Sequence, residues 1–140
     1  MKTTWLSLLT LSLLAVGVFA VARRNCAQTS ATGAGSAKRI SLEEFDKLRV
    51  QTNYVILDVR SPSEFAAGHV PGATNLNVSA SDFAQRVGAL PKDKPYLVHC
   101  AAGARSARAV GKMSQMGFKE LYDFSGGWGE WKKAGKPVEK

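Results

Sequence analysis

The segment Tyr96-Leu97-Val98-His99-Cys100-Ala101-Ala102-Gly103-Ala104-Arg105-Ser106 does most to limit what this 140-residue chain can fold into. An apolar run stops at a cysteine, crosses small residues and enters a helical pattern, which reads as a buried strand, a tight loop and a helix start. A continuous apolar strand is covered on both faces, and that calls for a parallel sheet flanked by helices, with ligands at the carboxyl ends of its strands. Where strand gives way to helix, unpaired backbone N–H groups and the helix dipole favour the thiolate; cysteines so placed have pKa values of roughly 3.5 to 7.5 instead of about 8.5. Ala101, Ala102, Gly103 and Ala104 are small enough to let the backbone curl around an anion, and Arg105 adds positive charge at the rim. On this segment alone, a nucleophilic cysteine and an inert buried one both stay open.

Strands and helices alternate along the rest of the chain. Ser41-Leu42-Glu43-Glu44 has capping-box spacing, with Glu44 reaching back to the cap, and predicts a helix to about Arg49. Tyr54 to Leu57 predicts a buried strand, Pro62 to Ala67 a short helix ended by Gly68, and Ala73 to Leu76 a further strand. Ser79 to Val87 reads as a helix, Pro95 to His99 as a central strand, and Gly103 to Met116 as the helix that receives the loop. Leu121 to Phe124 and Trp128 to Lys133 close the pattern as strand and helix. The expected fold is therefore α/β, a small parallel sheet of about five strands with helices on both faces.

Three stretches together carry a resemblance to a known family. Cys100 to Ser106 matches a C-x-x-G-x-R-S loop. Val55-Ile56-Leu57-Asp58-Val59-Arg60 and Glu64-Phe65-Ala66-Ala67-Gly68-His69-Val70-Pro71-Gly72-Ala73 match D-V-R followed by E-F-x-x-G-H-I-P-G-A. Gly126-Gly127-Trp128-Gly129-Glu130-Trp131, then Gly135-Lys136-Pro137-Val138, match a C-terminal motif. In this order the motifs resemble those of the rhodanese-like sulfurtransferases, from about Lys38 to the end. The resemblance implies a thiosulfate sulfurtransferase in which Cys100 takes a sulfane sulfur as a persulfide and hands it to cyanide or a thiol. Backbone amides of Ala101, Ala102, Gly103, Ala104, Arg105 and Ser106 would bind the anionic sulfur, with Arg105 steadying the donor's leaving group. Asp58 and Arg60 are expected to support the site as an ion pair.

The loop has the C-x4-R length of the sulfurtransferases, whereas the related Cdc25-type phosphatases and arsenate reductases carry C-x5-R, a wider ring suited to a tetrahedral oxyanion. Alanines at 101 and 102 replace the polar residues of many relatives, so thiosulfate is the default donor, and the loop does not resemble the C-G-S-G-V-T form of mercaptopyruvate enzymes. A persulfide carrier with little small-donor turnover is the alternative function. His99 should point away from the thiol, because side chains alternate along a strand. His69, in its turn, reads as packed rather than catalytic. Two histidines and one core cysteine make no metal-ligand set, and no cofactor is called for.

Residues 5–22 form an apolar run after a single charge, Lys2, and end in Ala20-Val21-Ala22. That is the pattern of a signal peptide over residues 1–22, with export to the periplasm as the expectation. An uncleaved membrane anchor is the alternative, kept open by Arg23 and Arg24. Residues 23–37, rich in Ala, Ser, Thr and Gly, read as a flexible linker, leaving 38–140 as one domain. Cys26 falls in that linker, so the two cysteines make no disulfide framework, and a thiol reductant or sulfur-relay protein is an expected partner. The net charge of +8 suits an anionic substrate or membrane face. Its scattered basic residues, without an aromatic stripe, do not fit nucleic acid.

Overall fold

The computed structural model describes residues 36–140, so the expected leader, Cys26 and most of the expected linker lie outside the described residues. Five strands and five helices follow one another as β1 (Ser36–Ile40), α1 (Leu42–Arg49), β2 (Val55–Asp58), α2 (Pro62–Ala66), β3 (Thr74–Asn75), α3 (Phe83–Gly88), β4 (Pro95–His99), α4 (Ala104–Gln115), β5 (Glu120–Phe124) and α5 (Gly127–Lys133). The sheet runs β1-β5-β4-β2-β3, and every pair is parallel. Among the described residues no helix is long and apolar enough to cross a membrane.

Strand alternation splits the core into two layers. Leu57, Tyr96, Val98 and Leu121 pack with Phe83 and Val87 of α3 and Ala109, Val110 and Met113 of α4. On the same strands Ile56, Leu97 and Phe124 face the other way, against Leu42 and Phe45 of α1 and Trp131 of α5. The Phe45 ring stacks on Phe124 with centroids 4.6 Å apart and meets Trp131 edge-on at 5.7 Å. Burying each such ring stabilises the fold by roughly 1.5–3 kcal/mol.

Several local expectations need correction. β1 takes in Ser36 and Ala37 of the expected linker and continues to Ile40, although only Ile40 is buried. It forms because β5 offers a paired edge, with Ser36 to Ile40 in register with Glu120 to Phe124. At α1 the Ser41 hydroxyl accepts from the Glu44 amide at 3.3 Å, but the Glu44 carboxylate binds Lys38 rather than returning to the cap. The complete capping box stands at α2, where Ser61 accepts from the Glu64 amide and Glu64 Oε2 accepts from the Ser61 amide at 3.1 Å. α3 starts at Phe83 rather than Ser79, since Asn77 Oδ1 accepts from the Ser79 amide at 3.0 Å and successive turns occupy the segment before it.

Candidate functional site

Cys100 follows β4 directly, its side chain 1 % exposed beneath the loop that leads into α4. The Gly103 amide donates to Sγ at 3.1 Å, and the Ser106 hydroxyl lies 3.8 Å away. Burial pushes the thiol pKa up, but hydrogen bonds from the loop, the amides of Ser106, Ala102 and Gly103 among them, outweigh it, and the net direction is below the ordinary thiol value.

The amides face the sulfur because the loop carbonyls are held elsewhere. Trp128 N donates to the Cys100 carbonyl at 2.7 Å and Gly129 N to the Ala101 carbonyl at 3.0 Å, both from the first turns of α5. In a trans peptide the C=O and the next N–H point in opposite directions. Fixing the Ala101 carbonyl on α5 therefore turns the Ala102 N–H away from α5 and toward the thiol side. Gly103, with φ of +92°, makes the bend, and a Cβ there would sit 2.6 Å from the Ser125 carbonyl oxygen.

Arg105 stands at the rim in the first turn of α4, as expected, but its guanidinium fork is already engaged. Nη1 and Nη2 bind the two Glu64 oxygens at 2.7 and 2.8 Å. The bidentate contact, together with the Ser61 amide and hydroxyl, brings the Glu64 carboxyl from 4.5 to about 2 despite partial burial. A depressed folded-state pKa adds stability above the unfolded value and loses it as pH falls through the folded one. Melting temperature is thus expected to drop faster between pH 4.5 and about 2 in the native protein than in Glu64→Gln. Parallel melting curves across that range would show that the pair contributes nothing.

Asp58 and Arg60 pair below the loop, with Arg60 Nη2 2.6 Å from Asp58 Oδ2 and both side chains buried. Arg60 also donates to the Gly68 carbonyl at 2.8 Å and lies 4.7 Å from the Trp128 ring centroid, joining β2, the turn after α2, and α5. His99 is fully buried on the opposite face of the sheet from Cys100, edge-on to Phe45, with Nε2 3.9 Å from Asp58 Oδ2. Burial is the largest influence on its pKa, which is lowered. His69 stacks on Phe65 at 3.7 Å, with Nδ1 3.0 Å from the Phe65 carbonyl oxygen.

Two participants were not singled out from the sequence. Glu64 belongs to the quoted E-F-x-x-G-H stretch, but its pairing with Arg105 spans 41 positions and no local pattern reveals it. Asp123 accepts from the Ser106 hydroxyl at 2.6 Å; a lone carboxylate in the apolar run of β5 was the available signal. Among the described residues no group of three His, Cys, Asp or Glu is arranged to hold a metal ion.

Comparison with known proteins agrees with this geometry. Residues 41–134 match the rhodanese-like domain. Thiosulfate sulfurtransferase GlpE of Pseudomonas putida is 38 % identical over 103 residues, covering 73 % of this chain and 90 % of that protein. The protein of the same name from Shewanella oneidensis is 30 % identical over 99 residues, covering 71 % and 96 %. The crystal structure of a rhodanese-related protein from Thermoplasma volcanium superposes with a TM-score of 0.64 at 32 % identity, over 73 % of this chain and 97 % of that one. With its five-stranded parallel sheet and its cysteine loop at the end of the central strand, the chain belongs to the rhodanese-like domain family.

Proposed function

We propose that this protein is a sulfurtransferase that moves a sulfane sulfur from a small anionic donor such as thiosulfate to a thiophilic acceptor, cyanide or a thiol. The observation that carries the reading is the amide-lined loop around Sγ, which favours an anionic sulfur and leaves its small side chains out of the way. The Cys100 thiolate attacks the outer sulfur of thiosulfate, a new S–S bond forms, and the old one breaks with its electron pair leaving on sulfite. The resulting persulfide is an anion, and the inward-facing amides of the loop supply its hydrogen bonds. Attack by the acceptor on the terminal sulfur returns the thiolate and closes a ping-pong cycle. The C-x4-R loop supports this chemistry over phosphate or arsenate transfer, since it is one residue shorter than the ring that encloses a tetrahedral oxyanion.

The test is intact mass after incubation with thiosulfate. Gain of one sulfur atom, lost again on adding cyanide or a thiol, is the expected result. A folded protein with a free thiol and no mass gain would reject thiosulfate as donor.

One observation favours a second reading, a persulfide carrier fed by a protein partner. Cys100 is almost fully buried, and the Arg105 fork that a dianion would use is occupied by Glu64. A carrier would exchange its persulfide rapidly with a partner protein and turn over small donors slowly. The apolar run of residues 5–22 supports export to the periplasm, or anchoring at the membrane if it is retained, where a thiol reductant or sulfur-relay protein would keep Cys100 in service.

A further inference from the structure

Through Ser106, Cys100 is connected to a second ionisable group, Asp123. Asp123 of β5 stands in register with Val98 of β4 and Arg39 of β1, on the sheet face covered by α4. It is 6 % exposed. Its Oδ1 accepts from Ser106 Oγ at 2.6 Å, and its Oδ2 lies 3.9 Å from Arg39 Nε.

The Ser106 hydroxyl carries one proton and has two oxygen acceptors in reach, Asp123 Oδ1 at 2.6 Å and the Gly103 carbonyl at 3.0 Å. The shorter contact to the anionic oxygen is the stronger one, so the proton is committed to Asp123. A lone pair on Oγ then faces Cys100, whose thiol donates to it across 3.8 Å. Donors and acceptors therefore line up from Sγ–H through Oγ–H to the carboxylate. Asp123 also borders a cavity of about 410 Å3 with Lys38, Arg39, Ala107 and Gly111, which gives the outer end of the chain room for water.

We propose that Asp123 is a positioning residue for the nucleophile: by taking the Ser106 hydroxyl proton it turns an Oγ lone pair toward Sγ, so that a carboxylate Cys100 does not touch holds the thiol proton in place. The proton committed to Asp123 fixes the direction of both hydrogen bonds, and while Ser106 Oγ accepts from the thiol it cannot also donate to a thiolate. Other charges around Cys100 and Asp123 belong to three elements. Arg39 of β1 sits beside Oδ2, while Lys38 borders the cavity with its ammonium on Glu44. Arg105 of α4 is bound to Glu64 of α2. Asp58 at the end of β2 is neutralised by Arg60.

The role of this coupling rests on Cys100 being the nucleophile of the proposed reaction, but its test needs no donor. The rate of Cys100 alkylation by iodoacetamide is measured against pH in the full chain. In Asp123→Asn, which keeps the hydrogen-bonding shape without the charge, the midpoint is expected half to one unit lower, making alkylation about threefold to tenfold faster at pH values below it. In a Ser106→Ala background the same substitution should have a much smaller effect. An Asp123→Asn profile that superimposes on the native one or moves upward, or an equal shift without Ser106, would each overturn the proposal. Thiosulfate loading measured on the same samples separates this outcome from failure of the sulfurtransferase reading.

Discussion

Cys100→Ser is expected to lose sulfur transfer from thiosulfate by about 10 000-fold or more while keeping the fold. The loss is large because the substitution removes the atom that becomes covalently bonded. A serine hydroxyl stays neutral in a site whose amides bring only a thiol into the range of ionisation, and a hard oxygen makes no persulfide. The fold is retained because the replacement is nearly isosteric and the new oxygen can accept from Gly103 N and meet Ser106, the two contacts the sulfur makes. Intact mass after thiosulfate, together with the melting temperature, checks both halves. No sulfur should be gained, and the melting temperature should stay within a few degrees of the parent. A variant that still takes up a sulfur would place the nucleophile elsewhere. One that unfolds would show that the buried thiol holds the core together.

The part of the site carried by one contiguous segment could be read before any coordinates. β4 begins and ends at Pro95 and His99 as its apolar run predicts, and α4 begins within a residue of its expected start. Burial on both faces produces a continuous apolar run, and an amphipathic helix produces a periodic one, so both leave a local trace. β1 leaves none: an edge strand has one neighbour and little burial, Ser36 and Ala37 fall in the expected linker, and Lys38 and Arg39 continue without an apolar pattern. Contacts between distant positions are also invisible. Arg105 reads as a positive charge at the rim until Glu64 is seen across from it, and Ser106 reads as a backbone donor of the loop until β5 brings Asp123 to 2.6 Å from its hydroxyl. Gly127 is one more glycine of the C-terminal motif in the sequence, and that the backbone it approaches is the active loop itself is revealed only by the packing of α5.

That packing sets the second large effect, Gly127→Ala. Gly127 has φ of +58°, and a Cβ there would lie 2.4 Å from the Cys100 carbonyl oxygen and 2.9 Å from the carbonyl carbon and oxygen of Ala101. Real Cβ atoms do not approach backbone this closely, and both neighbours are main chain with no rotamer to yield. Left-handed backbone at a residue with a side chain costs about 1–2 kcal/mol by itself, and displacing the loop adds to it. A destabilisation of about 3 kcal/mol, or a melting temperature lower by roughly 10 °C or more, is expected. The functional loss should exceed what partial unfolding explains. Moving α5 away releases the carbonyls that Trp128 N and Gly129 N hold, and the Ala102 N–H then has no reason to face the sulfur. The thiol pKa of the folded variant should therefore rise, seen as an alkylation midpoint at higher pH than in the parent. Gly135→Ala is the matched control, since its φ of +65° carries the same backbone cost and a Cβ there meets nothing within 4 Å. If the two variants shift the alkylation midpoint equally, α5 does not orient the loop. If only Gly127→Ala moves it, the acidity of Cys100 is set by a helix that contributes no side chain to the sulfur.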